Sequence, residues 1–268
     1  MADGTLAIYR RLVAAQVRSQ AQYRASFLVE LCGTVLFASV DVLAVLVVFR
    51  VARSVGGFEF RAVFLMAALS TCAFALADLT VGSIERIRAY VRTGLLDAVL
   101  VRPLGALPQL LAADVAPKRV GRVLFGIGLV GVAAHTARLD LTPARWLLLL
   151  VTPVAGAVLF GAIFVASATV AFWWIDSGEF AAALTYGGRD LTSYPMTVYG
   201  GLFRRVFAYG LGFAFVGYYP ALALLGRRDP LGLPAVTGWL GPVVALGAAG
   251  VAASAWKVAI RHYRSTGS

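Results

Sequence analysis

The chain has 268 residues, 60% of them hydrophobic and only 14% charged, with a formal net charge of +11. That composition excludes an ordinary soluble domain, and basic residues set beside apolar runs rather than in a separate basic module exclude a nucleic-acid reader. Uncharged runs of about 20 residues match a hydrocarbon slab about 30 Å thick, where each backbone polar group needs a partner in its own segment, so an all-α integral membrane bundle is expected.

Residues 5–24 come first. Leu6, Tyr9, Val13 and Val17 recur at helical spacing among Arg10, Arg11 and Arg18. This predicts an amphipathic interfacial helix, and a solvated helix continuous with the first span fits the same spacing. No cleavage pattern precedes the first apolar run, so that run is expected to act as the targeting signal. Six transmembrane helices are expected in a single permease-sized domain: 27–49, 62–82, 120–135, 146–173, 206–220 and 238–256. The fourth would cover about 40 Å. Trp146 stands at one of its ends and Trp173 and Trp174 at the other, where amphipathic rings prefer to lie. A basic loop, 84–119, separates the second and third spans, and a second connecting stretch, 175–205, separates the fourth and fifth. From Tyr218 to Trp239 prolines and glycines break the apolar pattern. Short re-entrant helices before the last span are expected there; a plain external loop is the alternative.

Six spans place both termini on one side. Arg10, Arg11, Arg18 and Arg24 of the N-terminal lead lie there, with Arg86, Arg88, Arg92, Arg102, Lys118, Arg119 and Arg122 of the first loop. Arg189, Arg204 and Arg205 of the second loop and Lys257, Arg261 and Arg264 of the tail join them. This is most of the 24 Lys and Arg residues, so that side is expected to be cytoplasmic. The Arg, Ala and Gly bias suggests a bacterial plasma membrane.

Ionisable residues inside the membrane are costly and often functional. Asp41 is the deepest, and an unpaired carboxylate there would cost about 3 kcal/mol. It is a possible intramembrane polar site, or it hydrogen-bonds to a neighbouring helix or partner. Glu30 and Asp78 are expected to reach headgroups, and Glu85 to pair with nearby arginines. Cys32 and Cys72 both fall in spans, which argues against a disulfide, and no Cys/His spacing suggests a metal. His135 and His262 fall at span ends on opposite sides, and Asp176 and Glu179 flank one end of the fourth span, so no catalytic cluster is expected. No Gly-rich turn ends in Lys and Ser or Thr, so this chain is expected to hold no nucleotide or other cofactor.

In the first loop Leu95, Leu96, Val99 and Leu100 form an apolar stripe, interrupted by Arg92, Asp97 and Arg102 and stopped by Pro103. Such a helix could dock in a groove on a cytosolic partner, or simply return the chain to the membrane. The stretch TGLLDAVLVRPL after the second span, SYPMTVYGGLFRR before the fifth, and then FAFVGYYPALALLGR resemble the ABC type-2 permeases. They are most similar to the branch with Gly-Leu-Leu-Asp…Arg-Pro-Leu and Tyr-Pro stretches. Where such sequences often carry a proline in span five, this chain reads AYGLGFAFVGYYP.

The resemblance implies a non-catalytic permease subunit of an ATP-driven exporter, with a coupling helix in the first loop. It implies contact with a separate nucleotide-binding ATPase subunit, present as a dimer with ATP and Mg on it, through Arg92, Gly94, Leu95, Leu96, Asp97, Arg102, Pro103 and Leu104. A second permease half, identical or homologous, would complete a pathway. An ion-driven secondary transporter would need interrupted helices meeting at midplane. A membrane enzyme would need clustered His, Asp or Glu. A membrane scaffold would have no transport role.

Overall fold

In the computed structural model the described residues are 24–112, 118–140 and 142–263. Of the described residues 80% are helical, and none lies in a strand. The expected N-terminal interfacial helix, 5–24, falls almost wholly outside them. Helix α1 is Arg24–Val51, and α2 is Phe60–Val81, continued by a 3-10 turn over Gly82–Arg86. Three short helices follow: α3 (Ile87–Arg92), α4 (Leu95–Leu100) and α5 (Ala106–Ala112). Next come α6 (Lys118–Thr136), α7 (Pro143–Thr169, extended by a 3-10 turn over Val170–Phe172) and α8 (Gly178–Thr192). Helix α9 (Gly201–Arg204) runs into a π-type turn over Arg205–Gly210. Helices α10 (Tyr218–Leu225) and α11 (Gly241–His262) complete the set.

Helix α2 is the axis of the bundle and is buried along nearly all its length. Small residues allow the close approaches that pack helices without a hydrophobic driving force. A Cβ on Gly126 of α6 would come within 2.8 Å of the Cys72 backbone, and one on Gly156 of α7 within 2.7 Å of Ala73. Between α2 and α7, Phe74 meets Phe160 edge-on at 5.3 Å. Helix α11 lies along the outside of α7. It closes against α7 where Phe172 meets Trp256 at 5.7 Å. Helix α1 reaches α2 through Phe49 and Phe60, 5.6 Å apart. Trp146, Trp173 and Trp174 are all exposed at the ends of α7, the placement expected of interfacial rings.

Three helical stretches are long and apolar enough to cross a membrane: Phe60–Arg92, Pro143–Phe172 and Gly241–His262. A fourth arises if Gly201–Gly210 and Phe213–Leu225, bent by 61°, count as one span. Length and apolarity among the described residues thus give three or four spans rather than the expected six. The first turns of α6 carry Lys118, Arg119 and Arg122, and only Val42–Val51 of α1 registers as an apolar helix.

The stretch 175–205, expected as a connection between spans, holds a 15-residue helix. Its helix α8 climbs along α2. At one end Gly178 packs against the guanidinium of Arg88. Higher up, Ser70 Oγ donates to the Arg189 carbonyl at 3.4 Å, and the Ser70 and Thr192 hydroxyls pair. Thr197 Oγ1 then donates to the Gly56 carbonyl at 2.6 Å, in the α1–α2 turn at the end of the bundle far from α3–α5. The chain next turns back inward. Gly212 (φ 78°) sits against Leu159 and Val244, and Gly217 against the carbonyls of Met66 and Thr192. Helix α10 follows, and Gly226 ends beside Arg145 at the far end. The stretch expected as span five, 206–220, lies across the 61° bend between Gly201–Gly210 and Phe213–Leu225. A 3-10 turn, Ala235–Trp239, covers α10 and leads into α11. Gly238 fits there because a Cβ would come within 2.5 Å of Ala223.

Candidate functional site

At the α3–α5 end the backbone sets the geometry. Gly94 has φ 71°, a left-handed conformation that a side chain disfavours. It turns the chain sharply between α3 and α4. The apolar stripe of α4 is then split. Leu96 is fully buried and Val99 nearly so, in a cluster with Ile84, Ile87, Val91 and Leu110. Leu95, Leu100 and Val101 face outward, the last 86% exposed. Arg92, Arg102 and Pro103 are exposed, and Gly94, Asp97 and Leu104 half-buried. Seven of the eight residues expected at a partner surface are thus at least partly accessible. Leu96 is not; it fastens α4 to the bundle.

Further contacts brace the same end. Gln109 Nε2 donates to the carbonyls of Val99 (3.0 Å) and Leu104 (2.9 Å), tying α5 to the α4 loop. Ser83 Oγ donates to the Leu111 carbonyl at 3.0 Å. Arg92 pairs with Asp176 at 2.7 Å, with both side chains mostly exposed; such a pair contributes little. The Tyr263 hydroxyl, just beyond α11, is buried beside Asp97, and burial with that carboxylate raises its pKa.

Asp78 was expected to reach headgroups. Instead its side chain is 4% exposed, and its oxygens meet Arg119 Nε at 3.3 Å and Arg122 Nη1 at 2.8 Å. The pairing joins α2 to α6 and satisfies a carboxylate that would be costly alone. Beside it, α3, α7 and α8 enclose a cavity of about 230 Å³ lined by Glu85, Arg88, Ser167, Ser177, Thr185 and Tyr186. The expected arginine partners of Glu85 act through their field, while Tyr186 OH donates to Glu85 Oε2 at 3.4 Å. Although Glu85 sits at the open edge, the cavity wall withdraws enough water to raise its pKa, and the Asp78 charge adds to the rise.

Farther along α8, Glu179, Tyr186 and Asp190 form an exposed polar stripe. A second cavity of about 330 Å³ opens beside it, lined by Thr71, Arg189, Asp190, Ser193 and Tyr194 on one side and by Val42, Val45 and Phe64 on the other. Arg189 lies over the Phe74 ring at 5.4 Å. This polar ground was absent from the expected sites. The Gly187–Gly188 pair was its one sequence signal, since Gly188 presses on the Phe213 ring. The side chains of Asp41 and Glu30 lie outside the described residues. Cys32 and Cys72 are unbridged, and no group of three metal-ligating side chains occurs among the described residues.

Residues 35–267 match the family described as ABC-2 family transporter protein. No curated protein and no solved structure matches the chain. The family match runs from within α1 to beyond α11 and so takes in the whole helical bundle and its α3–α5 end. The chain belongs to the ABC-2 transporter family, as a multi-pass membrane permease of an ABC transporter.

Proposed function

We propose that this permease is one half of an ATP-driven exporter and that α4 is its coupling helix. The observation that carries the reading is the division of labour on α4. Leu96 and Val99 lock the helix to the bundle, while Leu95, Leu100, Val101, Arg102 and Pro103 are offered outward. Apolar anchors with a charged rim suit a groove on a cytosolic partner. That partner is a dimer of nucleotide-binding ATPase subunits, which holds ATP and Mg. Arg92, Gly94, Asp97 and Leu104 flank the contact.

The membrane arrangement completes the proposal. Helices α1, α2, α6, α7 and α11 cross, and α8 with residues 193–197 makes the remaining crossing in place of 206–220. Residues 201–225 enter and return on the far side. Both termini are then cytoplasmic, in a bacterial plasma membrane. A polar stripe on α8 is a poor lipid surface, because charge within the hydrocarbon faces a bundle interior or water. It faces a second permease half, identical or homologous, across the export path.

The test is co-purification from native membranes in mild detergent. Val101→Asp with Arg102→Glu should abolish recovery of the ATPase subunit while the permease still purifies as wild type. Undiminished ATPase recovery overturns the coupling role.

A further inference from the structure

We propose that the groove between α2, α7 and α11 holds an acyl chain of an anionic phospholipid from the leaflet on the α3–α5 side, with Lys257 at its phosphate. The groove has a volume of about 440 Å³. Leu76 and Val81 of α2 and Val158 and Val165 of α7 form its sides, and Gly161 and Ala253 keep its floor low. Thr80 is the one hydroxyl in the lining, and it already donates to the carbonyls of Leu76 (2.9 Å) and Ala77 (3.2 Å). Nothing in the hollow asks for a polar ligand. An apolar hollow left empty forfeits dispersion contacts on one side. Lipid chains are the medium available to fill it.

Depth and charge identify the occupant. The three helices that line the groove are those that meet the length and apolarity of a span. Large side chains exposed along the middle of α7 and α11 are aliphatic, Leu150, Val154, Val243, Leu246 and Val251 among them, which suits a lipid-facing surface. The polar stripe of α8 gives a second permease half a different surface. Lys257 is exposed and lies four residues beyond Ala253, one helical turn along the same row toward the α3–α5 end. Its neighbour Trp256 packs on Phe172, next to the exposed Trp173 and Trp174, so the row reaches headgroup level there. A lysine at that level attracts anionic headgroups. The groove ends against Leu107 and Leu111 of α5, so the bound chain would brace the helix that Gln109 ties to the α4 loop. The proposal needs the membrane placement alone and stands apart from the ATPase contact.

Native mass spectrometry of the delipidated full-length permease, titrated with palmitoyl-oleoyl phosphatidylglycerol or phosphatidylcholine, tests it. Wild type should retain one phosphatidylglycerol per chain, with a preference over phosphatidylcholine of which Lys257 contributes about fivefold. Lys257→Gln should keep the bound lipid and lower the preference about fivefold. Ala253→Phe, and the milder Ala249→Leu, should lose the retained lipid. Val251→Phe, on the outward face of the same helix, should change neither. Equal retention by wild type, Ala253→Phe and Ala249→Leu overturns the proposal. So does a change confined to the monomer–dimer ratio, which would mean that a second copy occupies the groove.

Discussion

Asp78→Asn removes the charge from the ion cluster between α2 and α6 and keeps the volume. Breaking a buried pair by deleting one partner costs about 3–5 kcal/mol, because the other charge is left uncompensated. The two arginines differ in how far they can escape. Arg122 is 39% exposed and can turn toward headgroups, whereas Arg119 is 13% exposed and stays. The loss therefore rests on Arg119 alone and falls at the low end, about 3 kcal/mol. A bundle of this size should then melt about 6–12 °C lower in mild detergent. Replacing Arg119 by Met in the Asp78→Asn background removes the stranded charge and should recover at least half the loss. The measurement is a thermal melt of the purified permease followed by intrinsic fluorescence. A single variant that melts within 2 °C of wild type, or a double variant no better than the single, refutes the reasoning.

Three further outcomes follow from the packing. Leu96→Ala should cost about 2–5 kcal/mol and loosen α4, so stimulation of the partner's ATPase by the permease should fall while the outward surface is unchanged; an unaltered melt and stimulation would contradict that. Gly126→Val should destabilise by about 1–3 kcal/mol through overpacking on the Cys72 backbone, whereas Gly128→Val should be mild because nothing lies within 4 Å of its Cβ position. Glu85 has a folded pKa raised above its usual 4.5, so its protonated form favours the folded state. That contribution is whole below pH 4.5 and is lost as pH rises through the folded value. The melting-temperature advantage of Glu85→Gln over wild type should therefore grow from pH 4.5 upward, and a flat difference would remove the cavity's influence on this carboxylate.

The long apolar helices were legible because Phe60–Val81, Pro143–Thr169 and Gly241–His262 carry few charges over many turns. Pattern alone could not place α8. Its 15 residues include Glu179, Arg189 and Asp190, so hydropathy reads it as a loop. Its contacts with α2 are mixed, Ser70 with Thr192 and Phe74 with Tyr186 and Arg189, so they leave no plain apolar pattern to read. The apolar run 206–220 reads as one straight span, and its 61° bend, beside Gly212 in the left-handed region, is invisible to hydropathy. On α4 the residues of the stripe were visible but its division was not. Four apolar side chains at helical spacing describe one face, and only the tertiary position of Ile84 and Ile87 decides that Leu96 points in while Leu95 and Leu100 point out. The Asp78 cluster was misread for a similar reason, because its two arginines come from another helix.

The contacts of α4 also say which helices should move with it. Buried groups tie it to the extension of α2, through Leu96, and to the end of α11, where Tyr263 lies beside Asp97. Close-packed elements shift together. Helix α8 meets this end through exposed side chains, the Arg92–Asp176 pair just before it, Arg88 against Gly178 and Tyr186 on Glu85, and it borders the 230 Å³ cavity, which leaves it room to move. Force applied at Val101 should carry α4, α2 and α11 as one body and displace them against α8. Spin labels at Val101→Cys and Val258→Cys, in a background with Cys32→Ser and Cys72→Ser, should hold their separation between nucleotide-free and ATP-bound complexes. Labels at Val101→Cys and Ala183→Cys should change theirs by at least about 2 Å. A fixed α4–α8 separation alongside a changing α4–α11 one would place the moving joint at Tyr263 instead.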